Sequence, residues 1–313
     1  MVALLFPGQG SQSIGMGKAL YDTYDVSKRT FEEADDALGF KISDLCFAGD
    51  EDALKRTENT QPAILTTSIA AYRAFRSLMP DIKASFALGH SLGEWSALTA
   101  VGALEFADAV KLVHQRGRFM QQAVAEGEGA MSAIIGIDKA PIVETCVSVS
   151  ERGDGIVTAA NFNGPAQTVI SGSAAAVEVA EKILSETHGA KVTRLAVSAP
   201  FHCPLMEPAA KGMNELLADV QVGEMEVPVI SNVEATANQD SGRVTDLLVK
   251  QITGTVQWVA SIQHLVESGE TVGIELGCGR VLAGLNRRID RSLKMHKAED
   301  PTSLEKAVAA LGA

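Results

Sequence analysis

The sequence lacks the cysteine pairs and long apolar runs that mark several protein classes. Its 4 cysteines among 313 residues lie far apart and form no C-x-x-C pair, which argues against a disulfide framework or a zinc site. No stretch approaches the ~20 consecutive apolar residues of a membrane-spanning helix. The apolar run at residues 1–6 is also too short for a signal peptide and has no positive charge before it. We therefore expect a cytoplasmic protein with reduced thiols, no membrane segment and no bound metal.

Positive charge is also in short supply. The chain has 27 Lys and Arg residues against 39 Asp and Glu residues, a net charge of −12 at pH 7. This balance argues against a protein that binds nucleic acid or an anionic membrane surface. Hydrophobic residues make up 46% of the chain and charged residues 21%, which is the ordinary range of a globular protein with a core. An anionic partner would therefore have to meet a local basic patch.

Short apolar runs alternate with helical patterns along most of the chain. Residues 2–6 end at a Pro-Gly pair and predict a buried strand, as do residues 84–88. Residues 66–78 and 106–124 predict helices. This alternation is typical of a parallel sheet covered by helices. The predicted class is α/β, with a large α/β-hydrolase-like domain built on a mostly parallel sheet.

The middle of the chain follows a different order. Residues 127–196 predict the order β-α-β-β-α-β, which is the split unit of a ferredoxin-like domain. We therefore predict a large catalytic domain formed by residues 1–126 and 197–313, with a small α+β domain inserted at 127–196. Beyond the insertion, strands and helices resume, and the helix after the Gly-Cys-Gly turn at 277–279 is predicted to reach about residue 292.

Residues 89–93 read Gly-His-Ser-Leu-Gly, a G-x-S-x-G sequence between a predicted strand and a predicted helix. A nucleophile elbow requires this context. The glycines permit a tight turn that exposes the hydroxyl of Ser91, and the helix N-terminus presents N–H groups to a developing negative charge. Ser91 is the predicted nucleophile. The alternative is a Gly-Ser turn without a chemical role.

A serine hydroxyl needs a general base within hydrogen-bonding reach, and histidine is the usual one. His90 is predicted to point away from the nucleophile, whereas four histidines lie in contexts that suit solvent exposure: His114, His188, His264 and His296. His202 lies in a loop at 198–204 that two prolines hold near a strand end, where α/β folds concentrate catalytic groups. His202 is the predicted base. The alternative is a loop histidine held by hydrogen bonds.

Acyl transfer also needs N–H donors for the oxygen that becomes negative. Residues 6–12 leave the first predicted strand and could bring the backbone N–H of Gln9 opposite that of Leu92, which follows the nucleophile. The same loop could be taken for a dinucleotide fingerprint, since Gly8 and Gly10 match G-x-G. Ser13 occupies the third glycine position, so phosphate binding is not expected.

Arg116 lies at the edge of the buried side of the helix at 106–124. Measured around the helix axis at about 100° per residue, Arg116 lies about 80° from the centre of the helix's apolar stripe. A guanidinium at such an edge either extends to water or faces a cleft and binds a carboxylate through two hydrogen bonds. The stripe consists of apolar residues at spacings of three and four: Phe106, Val110, Val113, Gly117, Met120 and Val124.

Five separated motifs together resemble the malonyl-CoA:acyl carrier protein transacylases of fatty-acid and polyketide synthesis. The resemblance runs from residue 1 to about residue 290, and the predicted insertion falls where this family has its ferredoxin-like domain. The motifs occur in the family's order: Gly-Gln-Gly-Ser-Gln at 8–12, Thr-Gln-Pro-Ala at 60–63, Gly-His-Ser-Leu-Gly-Glu at 89–94, Gln-Arg-Gly at 115–117 and Phe-His at 201–202.

The resemblance implies a role for each catalytic residue. Ser91 would accept the malonyl group and His202 would be its base. The backbone N–H groups of Gln9 and Leu92 would form the oxyanion hole. Gln251 matches the family position whose backbone carbonyl orients the histidine, so a Ser-His pair would need no acidic third member.

The resemblance also implies the substrate-binding residues and the partners. Arg116 would hold the malonyl carboxylate, with Gln61 and Phe201 as further substrate-binding residues. Phe201 stands where stand-alone bacterial enzymes often have serine, and Cys278 replaces the usual proline of its turn. The expected partners are malonyl-CoA and acyl carrier protein, with no cofactor, and the chain is expected to be a monomer.

Two other functions share some of these residues. A serine esterase or thioesterase would use Ser91 and His202 but pass the acyl group to water. A non-catalytic docking protein would have Ser91 as a structural residue only.

Carrier proteins are acidic, so an acyl carrier protein would dock on a basic surface of this chain. The spacing of Arg287, Arg291 and Lys294 offers a candidate for such a surface along one side of a helix, with Arg288 beside it, although a solvated charged face is the commoner explanation of such a pattern.

Overall fold

The computed structural model describes residues 1–197 and 199–312, so Ser198, in the loop before His202, and the terminal Ala313 lie outside the described residues. The strands, in chain order, are β1 (Val2–Phe6), β2 (Ala84–Gly89), β3 (Gly129–Ile135), β4 (Val157–Gly164), β5 (Gln167–Ser173), β6 (Lys191–Arg194), β7 (Val229–Ile230), β8 (Ala237–Asn238), β9 (Val272–Leu276) and β10 (Lys294–Ala298).

The helices surround two sheets. In chain order they are α1 (Lys18–Thr23), α2 (Asp25–Leu38), α3 (Ile42–Ala48), α4 (Glu51–Lys55), α5 (Thr57–Leu78), α6 (Leu92–Ala100), α7 (Phe106–Gln122), α8 (Lys139–Glu151), α9 (Ala174–His188), α10 (Glu207–Leu217), α11 (Val244–Thr253), α12 (Trp258–Glu267), α13 (Val281–Ile289) and α14 (Pro301–Leu311). Short 3-10 helices at Pro204–Met206 and Ser241–Arg243 precede α10 and α11.

The larger sheet has the strand order β10-β9-β1-β2-β7-β8. Every neighbouring pair is parallel except β7 and β8. β1 is apolar throughout because both sheet faces are buried. Its residues Val2, Leu4 and Phe6 pack into one hydrophobic cluster, and Ala3 and Leu5 pack into another. The predicted α/β class with a mostly parallel sheet is confirmed.

The smaller sheet has the strand order β4-β5-β3-β6, and each neighbouring pair is antiparallel. Its elements follow one another as β3-α8-β4-β5-α9-β6, with α8 packed against α9. It also has its own hydrophobic cluster, which includes Ile134, Ile170 and Leu184. The smaller sheet therefore has a cluster of its own between its strands and helices, whereas other residues of it, such as Met131 and Val169, pack into the large cluster that contains β1.

Hydrogen bonds along β4 join the smaller sheet to the segment between α11 and α12. The backbone N–H of Phe162 donates to the carbonyl of Val256 at 2.9 Å, and the N–H of Val256 donates to the carbonyl of Ala160 at 2.8 Å. The hydroxyl of Thr255 donates to the carbonyl of Ala159 at 2.7 Å. The smaller sheet is therefore held beside the segment that follows α11.

Two helix boundaries differ from the sequence prediction. The helix predicted at 66–78 begins at Thr57 and contains Pro62. Proline has no N–H for the carbonyl of residue i−4. That carbonyl belongs to Glu58, which lies 2.8 Å from Nδ1 of His114. This external donor allows the helix to continue through the proline, and it leaves His114 partly buried rather than exposed.

The predicted helix to residue 292 is also wrong, because α13 ends at Ile289. The Asp290 side chain accepts hydrogen bonds from the N–H and hydroxyl of Ser292, at 2.8 and 2.7 Å, and this turn stops the helix. Lys294 then begins β10, which pairs with β9. The predicted stripe of basic residues along one helix therefore does not exist. Arg287 is on α13, Arg291 lies beyond its end and Lys294 is on a strand, although all of them are exposed.

No helix among the described residues is both long enough and apolar enough to cross a membrane. The cytoplasmic location stays a prediction.

Candidate active site

The predicted nucleophile lies on a strained turn at the carboxyl end of β2. β2 ends at Gly89 and α6 begins at Leu92, and between them Ser91 has φ 51° and ψ −106°. A residue other than glycine adopts positive φ only when the surrounding structure holds it there. The geometry matches the nucleophile elbow that the G-x-S-x-G sequence predicts.

Close backbone contacts explain the glycines on both sides of the turn. A Cβ at Gly89 would lie 2.0 Å from the carbonyl of Gly93, and a Cβ at Gly93 would lie 2.0 Å from the carbonyl oxygen of Phe6. A Cβ at Gly8 would lie 2.2 Å from the carbonyl oxygen of His90. Only glycine permits such approaches. These three glycines therefore pack the turn directly against the end of β1 and the loop that follows it.

Asn232 holds the same turn from the other side. Its side-chain oxygen accepts a hydrogen bond from the N–H of Ser91 at 2.7 Å, and its side-chain nitrogen donates to the carbonyl of Gly89 at 2.7 Å. Asn232 is fully buried and follows β7, the strand beside β2. Sequence reasoning missed this residue. The available signal was a polar residue at the carboxyl end of the strand predicted at 227–232.

Ser91 and His202 are 111 positions apart in the chain, and their side chains are in contact. The Ser91 Oγ lies 2.8 Å from Nε2 of His202, and Nδ1 of His202 lies 2.8 Å from the backbone carbonyl of Gln251. A carbonyl can only accept, so Nδ1 carries the proton and Nε2 is free to accept the serine proton. This is the arrangement expected of a nucleophile, its base and a residue that orients the base.

The pKa of His202 is lowered to about 3, first because burial disfavours the imidazolium and second because Arg116 is positively charged. The ring is 4% exposed. His202 is therefore neutral at pH 7, as a general base must be. Its backbone has φ 58°, which is a second strained position in the site.

Arg116 is 1% exposed and lies beside the nucleophile. Its Nη1 donates to Oε1 of Gln61 at 2.8 Å, and its Nη2 donates to Oε1 of Gln251 at 2.9 Å. Nη2 also lies 3.3 Å from the Ser91 Oγ, whereas Nε is buried and has no hydrogen-bond partner among the described residues. Burial lowers the pKa of Arg116 to about 10, so the group remains charged at pH 7. The structure thus places a desolvated cation against the reactive hydroxyl.

A buried carboxylate completes the polar cluster. Glu94, in the first turn of α6, accepts hydrogen bonds from Nε2 of Gln251 at 2.6 Å and from the backbone N–H of Asn232 at 3.1 Å. Burial raises the pKa of Glu94 to about 7, an effect that these hydrogen bonds and the charge of Arg116 oppose. Sequence reasoning missed Glu94, because nothing in its helix indicates that a remote arginine is near.

The two predicted oxyanion-hole residues lie at the same cavity. Gln9 and Leu92 both line it together with Ser91. Neither backbone N–H donates to another group of the described residues, so both are available to a ligand. The loop that contains Gln9 is held by Ser11, whose hydroxyl donates to the carbonyl of Gly8 at 2.7 Å and lies 3.3 Å from the Sγ of Cys278.

The other residues considered from the sequence lie around the same cavity. Gln61 lies on α5 and contacts Arg116 through its side-chain oxygen. Phe201 is buried and lines the cavity. His90 also lines the cavity, and its Nε2 lies 2.7 Å from Oδ1 of Asn163 on β4.

The cavity has a volume of about 990 Å³ and lies between the two sheets. Ser91, Arg116 and His202 line one side, and Asn161 and Val169 of the smaller sheet line the other. No group of three or more His, Cys, Asp or Glu side chains in the described part of the chain could hold a metal ion. A Ser-His pair with a buried cation is suited to the transfer of a carboxylated acyl group.

Comparisons with known proteins agree with this chemistry. The model of the family described as "Acyl transferase domain" matches residues 3–302. The chain is 45% identical over 312 residues to a malonyl CoA-acyl carrier protein transacylase of Bacillus subtilis, covering 99% of this chain and 97% of that protein.

Solved structures show the same similarity. The crystal structure of an acyl-carrier-protein-S-malonyltransferase from Bartonella henselae has a TM-score of 0.96 at 43% identity, with 100% of both chains covered. A malonyl-transacylase solved in complex with its type II PKS acyl-carrier protein has a TM-score of 0.95 at 40% identity, with 99% of both chains covered. The chain therefore belongs to the acyl transferase family, among the malonyl CoA-acyl carrier protein transacylases.

Proposed function

We propose that this chain transfers the malonyl group of malonyl-CoA to the phosphopantetheine thiol of an acyl carrier protein through a malonyl-Ser91 intermediate. One observation supports this proposal above the others. Arg116 is charged and nearly fully buried, it has an unpartnered Nε, and it lies 3.3 Å from the Ser91 Oγ. Glu94 acts on Arg116 without a direct hydrogen bond, and a buried guanidinium bonded only to uncharged acceptors is costly unless a ligand supplies a carboxylate in contact with it.

The short malonyl group is compatible with the 3.3 Å between Nη2 of Arg116 and Oγ of Ser91. In a malonyl ester, a single methylene separates the carboxylate carbon from the carbonyl carbon that is bonded to the serine oxygen. A guanidinium in contact with that oxygen can therefore reach the carboxylate, and a planar guanidinium can donate two parallel hydrogen bonds to it. An acetyl group has no carboxylate and would leave Arg116 unpaired.

The first half-reaction forms the acyl-enzyme. His202 Nε2 takes the proton of the Ser91 hydroxyl as Oγ attacks the thioester carbonyl carbon. The N–H groups of Gln9 and Leu92 stabilise the oxygen that becomes negative. The C–S bond then breaks, and the sulfur of coenzyme A leaves with the proton held on Nε2.

The second half-reaction repeats these steps with the carrier's thiol. The thiol gives its proton to Nε2 of His202 and attacks the ester carbonyl carbon. The bond to the Ser91 Oγ breaks, and the serine oxygen regains the proton. Because the backbone carbonyl of Gln251 accepts from Nδ1 of His202, it stabilises the imidazolium that forms in each half-reaction.

A serine esterase would use the same Ser-His pair, but Arg116 argues against it. The acyl pocket of an enzyme for neutral esters gains nothing from an unpaired guanidinium. The distinguishing measurement is the fate of the acyl group in the presence of malonyl-CoA. We expect intact mass spectrometry to find one malonyl group on the wild type and none on Ser91→Ala, and a pantetheine thiol to remove it. Rapid release of free malonate without thiol transfer would contradict the proposal.

The proposed macromolecular partner is an acyl carrier protein. One relative was solved in complex with its acyl-carrier protein. Carrier proteins are acidic and this chain has a net charge of −12, so docking requires a local basic surface. Arg287, Arg288, Arg291 and Lys294 remain candidates for it, because they are exposed even though they do not share one helix.

The domain organisation belongs to the same proposal. The strand order β4-β5-β3-β6 and the chain order β3-α8-β4-β5-α9-β6 support a ferredoxin-like domain at 127–196. Residues 1–126 and 197–313 would then form an α/β-hydrolase-like catalytic domain, and the acyl group would bind in the cavity between the two.

A further inference from the structure

We propose that Glu94 is a positioning residue that orients the side-chain amide of Gln251 toward Arg116 and thereby sets the preference for a carboxylated acyl group. This inference rests on the proposed function, in which Arg116 binds the malonyl carboxylate. Glu94 does not line the cavity among the described residues, so it acts on the acyl group through Gln251 and Arg116.

The hydrogen bonds of Gln251 permit only one orientation of its amide. The amide nitrogen donates to Glu94 Oε2 at 2.6 Å and to the backbone carbonyl of Ser91 at 2.9 Å, while the amide oxygen accepts from Arg116 Nη2 at 2.9 Å. A flipped amide would bring its oxygen against a carboxylate and a carbonyl, and its NH₂ group against a guanidinium. An ionised Glu94 accepts and cannot donate, so it excludes that arrangement.

The orientation of Gln251 matters because Arg116 has few partners. The described residues supply only uncharged acceptors to its guanidinium: the side chains of Gln61, Ser91 and Gln251. Glu94 is 2% exposed and supplies the negative charge that acts on Arg116. If the Gln251 amide flips, Arg116 loses an acceptor and meets a donor instead. The guanidinium would then move away from the position in which it can bind the malonyl carboxylate.

Protonation of Glu94 should have the same effect as its removal. Burial raises the pKa of Glu94 to about 7, so the group titrates near neutral pH. Arg116 is the charged group that acts on it, and the side-chain amide of Gln251 and the backbone N–H of Asn232 are its uncharged partners. His202, the nearby imidazole of the site, has a pKa of about 3 and stays neutral through this range. Protonated Glu94 can donate to an amide oxygen, so Glu94 no longer excludes the flipped Gln251, and only the Ser91 carbonyl and Arg116 still oppose it.

The test compares kcat/KM for malonyl-CoA and acetyl-CoA in wild type and Glu94→Gln between about pH 6 and 8. The amide introduced by this substitution has nearly the same shape as the protonated carboxyl of Glu94, and it permits either orientation of Gln251. We expect the malonyl preference of the wild type to fall about tenfold from pH 8 to 6, since a hydrogen bond to a charged group contributes about that much. Glu94→Gln should show the low preference at every pH, through a higher KM for malonyl-CoA and a larger loss of malonyl transfer than of acetyl transfer.

A matched control is Glu275→Gln. Glu275 is equally buried and its pKa is also raised to about 7, but it accepts from backbone N–H groups at the start of α13 rather than from the site. This variant should keep the wild-type preference and its pH dependence. Thermal unfolding of both variants separates a loss of folding from a loss of preference.

The Arg116→Ala background separates the inference from the proposed function. There, Glu94→Gln should no longer change the malonyl preference, because the guanidinium that Gln251 holds is gone. If Arg116→Ala alone leaves the preference intact, the role of Arg116 in the proposed function fails, and the role of Glu94 fails with it. If Arg116→Ala lowers it while Glu94→Gln retains the wild-type preference and pH dependence, or lowers malonyl and acetyl transfer equally, only the role of Glu94 is refuted.

Discussion

Replacement of Arg116 by alanine tests the selection of the acyl group most directly. The substitution removes the buried cation and leaves Ser91, His202 and the backbone N–H groups of Gln9 and Leu92 in place. We therefore expect malonyl transfer to fall and acetyl transfer to persist. Acetyl transfer can even increase, because the charge of Arg116 is one of the causes that lower the pKa of His202, and its removal makes the base stronger.

The magnitude follows from the burial of the guanidinium. Arg116 is 1% exposed, so the malonyl carboxylate would meet it out of contact with water. Removing one partner of such a buried, hydrogen-bonded charge pair costs about 2–5 kcal/mol. At about 1.4 kcal/mol per factor of ten, kcat/KM for malonyl-CoA should fall by about 30-fold to several thousandfold. The preference between the two thioesters should change by at least the same factor.

The assay is a competition in which malonyl-CoA and acetyl-CoA are offered together with a pantetheine thiol as the acceptor. The ratio of the two thioester products gives the ratio of the two kcat/KM values. Arg116→Met is the companion variant, because a methionine fills most of the vacated volume and keeps bulk water out of the site. It should give the same change in preference as Arg116→Ala.

An unchanged product ratio in both variants would refute the assignment of Arg116 as the carboxylate-binding residue. Equal losses of malonyl and acetyl transfer would refute it as well, since they would mean that Arg116 supports the Ser-His pair rather than the acyl group.

Three further predictions concern the base, the elbow and the partner. Because the pKa of His202 is about 3, kcat/KM for acetyl-CoA should be nearly constant from about pH 5 to 8, and an acid limb near 6.5 would contradict a neutral buried base. Gly93→Ala should lower the free energy of unfolding by about 1–3 kcal/mol or prevent folding, because its Cβ would lie 2.0 Å from the Phe6 carbonyl oxygen. Its control is Gly284→Ala in α13, where nothing lies within 4 Å of the added Cβ and the helix should become more stable; equal effects on Tm would contradict this. Charge reversal at Arg287 and Arg291 should raise KM for the carrier protein but not for malonyl-CoA, and equal changes in both would place the docking surface elsewhere.

Local patterns in the sequence were enough to predict the elements that carry the nucleophile. The apolar run before Gly89, the two glycines and the helical pattern after Ser91 are contiguous, and each acts through backbone geometry over a few residues. The same holds for Arg116, whose position beside the apolar stripe of α7 follows from helical periodicity alone. His202 lies between two prolines after a predicted strand, and this context is again a local property of the sequence.

The partners of these residues were decided by the order of strands in the sheet. β1, β2, β7 and β9 lie side by side and parallel, so the loops after them meet at one edge, although they are far apart in the chain. This arrangement brings Asn232 to the elbow, and the hydrogen bonds of Gln251 link Glu94 to Arg116.

Tertiary contacts also gave two helices bounds that differ from those predicted by the local sequence. The helix at 57–78 passes Pro62 because His114, from another helix, is placed to bond the carbonyl that proline leaves free. Arg291 and Lys294 lie beyond the helix because Asp290 turns the chain so that Lys294 can begin β10 beside β9. Sequence periodicity determines which face of an element is buried, whereas the pairing of buried polar groups depends on which elements become neighbours. For that reason sequence patterns singled out Ser91, His202 and Arg116 and the family resemblance supplied their expected roles, whereas the network that orients them was decided only by the fold.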